Sequence, residues 1–440
     1  MPPLSQTKLK QFGEEMYEIL TRLFPICRSI TGDGVRQTLR ILQERIPLKI
    51  IEVPSGTEVF DWTVPDEWNI SDAYILDPDG NKIIDFKENN LHVVGYSEPV
   101  DKKLGLDELK PHLHSLPDLP DVIPYLTSYY KRRWGFCMRH KDLLQLKEGE
   151  YTVKIESSLK RGSLTLAEYI LPGEQEDEAL LSTYTCHPSL ANDNISSVVI
   201  FAYLAGLLSK LKLRYTYRFL FIPETIGAIT YLSLNKDHIL SRTRAGLVGS
   251  HLGSSHCLRY KRSRMGNAEI DRVAEHVMSN SSQGYQVYDY TPRGSDERQY
   301  CSPGFNLPVG LLSRVDLDAE GPPNDFGQYH TSSDNLSLVS GKNLAESLNL
   351  TYNILNALEV NRTYINQVMF CEPQLSKRNL LSGLGGNRQA TEEKRRMMWL
   401  LNCSDGKHDL LDIADKVPTT LSEMAETAQR LVEAGLIKPQ

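Results

Sequence analysis

Residues 179–211 read ALLSTYTCHPSLANDNISSVVIFAYLAGLLSKL, and this stretch decides the fold. It begins with an apolar, β-prone run, passes through a polar turn that contains His187 and Asp193, and ends in an apolar segment of helical length. Four further segments continue this pattern. Thr225–Leu234 is predicted to be a helix, and strands are predicted at Tyr215–Ile222, Ala245–Val248 and Leu307–Leu312. Alternating strands and helices are typical of a layered α/β domain, so we predict an α/β core.

The segments before and after this core have different sequence patterns. Helical spacing of apolar residues assigns residues 1–48 to N-terminal helices of the core. Residues 49–130 hold short β-prone runs separated by turn residues and prolines, which indicates an inserted β-rich domain. The α/β core continues over 131–375. The glycines at 383–386 predict a hinge, and three short helices within 385–440 indicate a winged-helix-like domain.

Composition and charge exclude several classes of protein. The chain has 440 residues, 40% of them hydrophobic, and 49 basic against 56 acidic residues give a net charge of −7. Such a molecule has no overall attraction for nucleic acid or for an anionic membrane surface. Its seven cysteines are scattered and odd in number, and the N-terminus has no apolar signal-peptide core. We therefore expect a cytoplasmic protein.

Chemically capable residues follow the predicted strands, where sites form in layered α/β folds. His187 and Asp193 share the turn after the first strand, and Glu224 follows the second. The charged turn Asp296-Glu297-Arg298 precedes another strand, and His330 lies in a polar loop before the last long helix. These loops are expected to meet at one edge of the sheet.

Each of these residues also has a simpler interpretation. A lone histidine is usually a surface or capping residue, Asp193 and Asp334 could cap helices, and the helix dipole alone stabilises Glu224. The combination is more informative than its members. Two imidazoles and one carboxylate leave a coordination position on zinc open, and a separate carboxylate can accept a proton from water. The combination therefore predicts a hydrolytic zinc site.

The order of these residues resembles the zinc aminopeptidase family, which is related to the leucyl aminopeptidases and also contains the glutaminyl cyclases. The resemblance is to an aminopeptidase-like subgroup with an inserted β domain and a C-terminal winged helix. It covers nearly the whole chain and is carried by these segments: Cys186-His187-Pro188-Ser189, Pro223-Glu224-Thr225-Ile226-Gly227, Gly294–Cys301 and Tyr329-His330-Thr331. It implies a three-layer α/β/α core with a mixed sheet.

The resemblance also implies roles for these residues. His187, Asp193 and His330 would bind zinc, and Glu224 would be the general base. Two-metal members of the family have a second carboxylate directly after the base and another after the next strand. Here Thr225 and the segment Gly249-Ser250-His251 occupy those places, so one zinc ion per chain is expected rather than two. His251 is a possible substitute ligand, although a structural histidine is the preferred interpretation.

The carboxylates of Asp296 and Glu297 could hold the free α-ammonium group of a substrate, and Arg298 could hold a carboxylate or an oxyanion. The leading functional prediction is a zinc hydrolase that cleaves an amide bond next to a free amino group, in a peptide or an aminoacyl small molecule. The alternatives are an amide hydrolase or cyclotransferase that acts on a biosynthetic intermediate, and a non-catalytic binding protein on a degenerate peptidase fold.

The predicted winged helix does not have the charge of a DNA reader. Acidic residues outnumber basic ones over residues 388–440, and the third helix carries Glu423 and Glu426 with a single Arg430. A helix that reads a DNA groove is usually rich in Lys and Arg. We therefore expect no nucleic-acid partner, no membrane partner, and a role for this domain in protein contacts, with the chain as a homo-oligomer.

Overall fold

The structure is a computed structural model that describes residues 1–281, 284–315, 327–380 and 388–440. The predicted hinge glycines at 383–386 lie outside these residues. The helices are α1 (Gln6–Leu23), α2 (Asp33–Gln43), α3 (Leu106–Leu109), α4 (His140–Leu143), α5 (Ser197–Leu208), α6 (Ile226–Leu234), α7 (Lys236–Arg242), α8 (Glu269–Ser279), α9 (Glu297–Tyr300), α10 (Gly341–Val360), α11 (Arg388–Cys403), α12 (Leu410–Ala414) and α13 (Leu421–Glu433). The strands are β1 (Lys49–Pro54), β2 (Glu58–Val59), β3 (Trp62–Thr63), β4 (Glu67–Leu76), β5 (Lys82–Asp85), β6 (Val100–Gly105), β7 (Leu113–His114), β8 (Phe136–Cys137), β9 (Glu150–Lys160), β10 (Ser163–Leu171), β11 (Glu178–Tyr184), β12 (Thr216–Ile222), β13 (Thr243–Ser250), β14 (Leu258–Lys261), β15 (Tyr285–Tyr288), β16 (Val309–Ser313), β17 (Thr363–Asn366), β18 (Asp405–Asp409) and β19 (Ile437–Pro439).

A mixed sheet of eight strands, in the order β1-β10-β12-β11-β13-β16-β14-β15, forms the centre of the α/β core. Its middle strands β12, β11, β13 and β16 are parallel, and β10 and β14 run antiparallel to their neighbours in that group. Strand β11 is buried along its whole length, which is expected of a central strand covered on both faces. The predicted strand–helix alternation is confirmed.

Helices cover both faces of this sheet. On one face, α6 packs with Leu180, Leu220 and Val248 in a single apolar cluster. On the other face, the Phe201 ring of α5 lies so close to Gly249 that a Cβ there would be 2.6 Å from it. Because residues 248 and 249 are consecutive on β13, they face opposite sides of the sheet. The predicted three-layer α/β/α core is therefore confirmed.

A separate antiparallel sheet of four strands, in the order β5-β4-β9-β6, belongs to the predicted inserted region and its surroundings. Two strands differ from the prediction. The run at Lys49–Pro54, expected inside the inserted domain over 49–130, pairs with β10 at the edge of the large sheet. Strand β9, expected in the core over 131–375, pairs instead with β4 and β6. Both pairings join segments that are distant in sequence, which local patterns do not reveal.

Packing divides the chain into two compact units. One comprises Pro2–Ala268 and Gly284–Asn349 and contains both sheets described above. The other consists mainly of Leu350–Gln440 and helix α8. In that second unit, helices α11, α12 and α13 accompany a three-stranded sheet in the order β18-β17-β19, which is a winged-helix arrangement.

The winged-helix sheet includes a strand that the sequence did not assign to it. Strand β17, at Thr363–Asn366, pairs antiparallel with β18 and β19 although it precedes the predicted start of this domain at residue 385. The predicted three helices are confirmed in number and place. The domain boundaries themselves remain predictions.

Within the described residues, one helical window, Ala191–Leu208, is long and apolar enough to cross a membrane. However, 89% of it is buried inside the protein, because α5 is covered by the large sheet. This burial is typical of the core helix of a soluble protein.

Candidate metal centre

Three of the predicted site residues meet at the carboxyl edge of the large sheet. His187 and Asp193 lie in the loop between β11 and α5, and His330 lies in the loop before α10. One ligand atom from each of the three lies within 4.8 Å of the others. The structure thus contains a His–Asp–His cluster that could hold a metal ion.

The donor atoms of this cluster fit a cation. Oδ2 of Asp193 is fully buried and makes no hydrogen bond within the described residues. Three imidazole Nε2 atoms surround it: His330 at 3.0 Å, His251 at 3.4 Å and His187 at 3.9 Å. An ionised carboxylate buried without a partner is costly, and a zinc ion is bound by imidazole nitrogen and carboxylate oxygen.

The electrostatics also suit metal binding. Burial lowers the pKa of His187 to about 4, so its imidazole is neutral at pH 7 and presents a lone pair. Burial alone would raise the pKa of Asp193, but the imidazoles of His187, His251 and His330 around its carboxylate outweigh that effect. The pKa of Asp193 is consequently held well below its usual range, and its carboxylate is ionised.

The turn that carries Asp193 is fixed by another carboxylate. Asp334 accepts hydrogen bonds from the backbone N–H groups of Asn192 at 2.6 Å and Asp193 at 2.8 Å. Asp334 is thus a structural residue of this turn, and not a cap of the helix α10 that follows it, where Ser340 accepts the N–H of Asn343. On the other side, the buried Arg28 donates from Nε to the backbone oxygen of His187 at 2.8 Å. The N-terminal segment therefore holds the backbone of His187 in place.

Glu224 lies at a strained turn directly after β12. Thr225 has φ +63° and ψ −76°, and the N–H of Ile226 donates to the Glu224 carbonyl oxygen at 2.8 Å, which defines a γ-turn of the rare, strained type. Oγ of Ser295 donates to Oε1 of Glu224 at 2.8 Å and orients the carboxylate. Burial, followed by the negative charge of Asp193, raises the pKa of Glu224.

The three side chains of the charged turn at 296–298 contact different partners. Asp296 accepts the backbone N–H of Thr225 at 2.7 Å through Oδ1, and its Oδ2 is buried without a hydrogen bond within the described residues. Burial and the nearby Glu224 raise the pKa of Asp296 well above its usual range. Glu297 instead pairs with Lys261 at 2.7 Å, and Arg298 donates to Oγ1 of Thr225 at 2.9 Å.

These contacts bear on the predicted substrate-binding role of the turn. The carboxylate of Glu297 is already engaged by an ammonium group, so Asp296 has the stronger position for a substrate amine. The role of all three residues in substrate binding remains a prediction.

Residues that the sequence analysis did not identify complete the centre. Tyr125, from the predicted inserted domain, places its ring 5.3 Å from that of His187 and 5.1 Å from that of His330, and its N–H donates to the His330 oxygen at 2.7 Å. Tyr184 donates to Oδ1 of Asp193 at 2.6 Å. Nothing local in the sequence identifies Tyr125, whereas Tyr184 could have been found because it ends the strand before the His187 turn.

Cys186 is a core residue. Its thiol is fully buried and accepts the N–H of Glu224 at 3.2 Å, and burial raises its pKa well above the usual range. A thiol in this state is a poor nucleophile.

The fold is that of the zinc aminopeptidases, with a winged helix at the C-terminus. The chain superposes on BSAP, a zinc aminopeptidase from Bacillus subtilis, with a TM-score of 0.56 at 12% identity, covering 79% of this chain and 95% of that one. It superposes on a crystal structure described as "putative peptidase" from Clostridium acetobutylicum with a TM-score of 0.91 at 48% identity, covering 99% and 98%.

Family comparison places the chain more narrowly. A family model described as a domain of unknown function (DUF4910) matches residues 17–361, and a winged helix-turn-helix model matches residues 362–439. The chain belongs to the first of these families. A Clostridium acetobutylicum protein named "Putative polysaccharide biosynthesis protein with aminopeptidase-like domain" is 50% identical over 426 residues, which is 97% of this chain and 96% of that protein. The predicted resemblance to the aminopeptidase-like proteins is confirmed.

Proposed function

We propose that the protein is a zinc-dependent hydrolase that cleaves an amide bond next to a free amino group. The observation that carries this proposal is the buried Oδ2 of Asp193, which faces imidazole Nε2 atoms. His187, Asp193 and His330 would hold one zinc ion through Nε2, Oδ2 and Nε2. A bound zinc ion would supply Lewis acidity for a carbonyl oxygen and for water.

Glu224 is the proposed general base. Ser295 holds its Oε1, so Oε2 accepts a proton from the attacking water and then donates that proton to the leaving amine. The raised pKa of Glu224 supports this role, since a base whose pKa is closer to neutrality can both accept and return a proton. Tyr125 packs against two of the imidazoles and excludes water from that side.

Asp296 is proposed to bind the substrate's free ammonium group through its buried Oδ2, and the positive charge of that group would offset the burial and the Glu224 charge that raise the pKa of Asp296. This contact would place the amine beside Glu224, because Asp296 is fixed to the backbone of Thr225. It would give the protein a preference for a bond next to a free amine. Peptides and aminoacyl small molecules are the proposed substrate class.

A second candidate is an amide hydrolase or cyclotransferase acting on a biosynthetic intermediate. The name of the Clostridium acetobutylicum relative, which includes polysaccharide biosynthesis, favours this candidate. The substrate would then be an amide attached to a saccharide precursor, and the same Glu224 would move the proton. We further propose a cytoplasmic homo-oligomer with no nucleic-acid partner.

The test combines metal content with a substrate screen. Elemental analysis of dialysed protein is expected to find one zinc per chain, because Thr225 and Ser250-His251 stand where a second ion would need carboxylates. Zinc-loaded protein is then assayed against aminoacyl amides, short peptides and N-acylated amino sugars. Two ions that resist dialysis would contradict the stoichiometry, and a folded protein that binds no zinc would favour a non-catalytic binding protein.

A further inference from the structure

His251 occupies a constrained position at the end of β13. Its side chain is 2% exposed, its φ is +53°, and its backbone N–H donates to Oδ1 of Asn194 at 3.0 Å. A histidine in the left-handed region is uncommon and needs support from its surroundings. Here the support aims Nε2 at Oδ2 of Asp193, 3.4 Å away.

A chain of hydrogen bonds determines where the proton of this imidazole lies. Tyr184 donates its only hydroxyl proton to Oδ1 of Asp193 at 2.6 Å. The hydroxyl of Ser250, 3.0 Å from the Tyr184 oxygen, must therefore donate to it. Ser250 then has only lone pairs left for Nδ1 of His251, which is 2.7 Å away. Consequently Nδ1 carries the proton and donates it.

With its proton on Nδ1, a neutral His251 presents a lone pair at Nε2. That lone pair faces the carboxylate oxygen of Asp193, which also has only lone pairs. Two acceptors at 3.4 Å repel each other unless a cation lies between them. Metal-binding histidines commonly have this arrangement, in which one nitrogen binds the ion and the other donates to a supporting group.

We propose that His251 is a ligand of the metal and binds it through Nε2, in addition to His187, Asp193 and His330. This inference rests on the proposed function for the presence of the ion. Zinc in catalytic sites can expand to five ligands, so a fourth protein ligand leaves room for water or substrate. Ser250 and Tyr184 are positioning residues that orient His251 and Asp193.

The additional imidazole also defines which metals the centre accepts. Three imidazoles and one carboxylate form a nitrogen-rich set, which suits Zn²⁺ and Co²⁺ and disfavours Mg²⁺ and Mn²⁺, whose preferred ligands are oxygens. We therefore expect Zn²⁺ to be retained in the presence of a large excess of Mg²⁺.

The test measures zinc binding directly, without turnover. Full-length wild type, His251→Gln and the control His256→Gln are compared by competition with a chromophoric chelator and by X-ray absorption of the bound zinc. His256 is a suitable control because it lies in the same loop and contacts Ser254. In the X-ray absorption spectra, wild type and the control are expected to show three imidazoles bound to zinc, and His251→Gln two. The zinc affinity of His251→Gln is expected to be about 10- to 100-fold lower than that of wild type.

A second variant covers the case in which His251→Gln does not fold, as judged by circular dichroism. Ser250→Ala removes the partner of Nδ1 together with the hydroxyl that contacts Tyr184, and the loss of such a supporting group is expected to lower zinc affinity about 10- to 100-fold. The alternative is a protonated His251 ion-paired with Asp193, which zinc would have to displace. In that case the folded variants bind zinc as tightly as wild type or more tightly, which would overturn the inference while leaving the proposed function intact. Wild type without zinc affinity would overturn both.

Discussion

The two oxygens of the Asp193 carboxylate have different surroundings. One oxygen faces three imidazoles, and the other accepts a hydrogen bond from the Tyr184 hydroxyl. The first oxygen is available to a cation, and the second is held in place. Glu224, by contrast, is oriented by Ser295 and has a raised pKa. The surroundings thus shift the pKa values of two carboxylates in one site in opposite directions, as binding and proton transfer require.

Replacing Glu224 by Gln tests its role as the base. Gln keeps the shape of the side chain but cannot accept a proton, so turnover is expected to fall about 10²- to 10⁴-fold. Zinc content should be unchanged, because Glu224 is not among the proposed ligands. Steady-state assays and elemental analysis check both expectations, with the exposed Glu174→Gln as control. Turnover near the wild-type value would reduce Glu224 to a structural residue.

Replacing Ser295 by Ala tests the pKa of the base. The hydrogen bond from Ser295 stabilises the ionised form of Glu224 and lowers its pKa, against the larger raising effect of burial. Its removal should raise that pKa further. Because the base must be ionised, the acidic limb of the kcat/KM profile should move to higher pH. Ser302→Ala, in the loop after α9, should leave the profile unchanged, and an unshifted limb in Ser295→Ala would contradict the assignment.

At the scale of elements, three neighbouring strands share a buried ionic network near the amino-terminal ends of the parallel strands β11 and β12, away from the metal centre. Arg218 on β12 binds both oxygens of Glu178 on β11 at 2.7 Å and reaches Glu168 on β10 at 3.1 Å. Burial alone would raise the pKa of Glu178, but the hydrogen bonds and charges of Arg218 and His238 together outweigh it and lower that pKa. The network therefore stabilises the fold at pH values above the ordinary pKa range of carboxyl groups. This contribution is lost as the pH falls through the lowered pKa of Glu178.

Replacing Arg218 by Leu should be strongly destabilising. It leaves the buried Glu178 with only the imidazole of His238 and the buried Glu168 with only Lys49 as basic partners, and breaking a buried pair in this way costs about 3–5 kcal/mol. The surface pair Arg244–Asp177 provides the control, because losing an exposed pair costs about 0–1 kcal/mol. Urea unfolding at pH 7 compares the free energies of unfolding. If Arg218→Leu and Arg244→Ala had equal free energies of unfolding, the buried network would contribute no more to the stability of the sheet than a surface ion pair does.

The elements also show what the sequence could and could not predict. Strands β11 and β12 and their following loops were predictable, because strand period, helix length and the carboxyl-edge rule are local signals. The pairing of β1 with β10 and of β9 with β4 was not, since it depends on register between distant segments. The same reason explains why Tyr125 was missed and why the support of His251 by Ser250 and Tyr184 required coordinates.

At the scale of the whole molecule, the winged helix is expected to bind partners other than DNA. On α13, Glu423 caps the helix start by accepting the N–H of Thr420 at 3.0 Å, Glu426 is exposed, and Arg430 pairs with Glu393. The basic residue of this helix is thus already neutralised. Together with the net charge of −7, this leaves little attraction for phosphates.

We therefore expect no binding of the intact protein to duplex DNA at about 0.15 M salt, where surface charges are screened beyond about 8 Å. Fluorescence anisotropy with duplexes of mixed sequence measures this, and sedimentation of the same samples reports the proposed homo-oligomer. Submicromolar, sequence-selective binding would instead identify a regulator built on a hydrolase fold.

Tyr125 lies above the imidazoles although the segment that carries it provides none of the proposed metal ligands. Substitutions in residues 121–131 can therefore change the shape of the space above the metal while His187, Asp193, Glu224 and His330 stay the same. Under the proposed function, substrate preference and chemistry would then depend on separate stretches of the gene. Chimaeras that exchange this loop between relatives are expected to exchange substrate preference without losing the reaction.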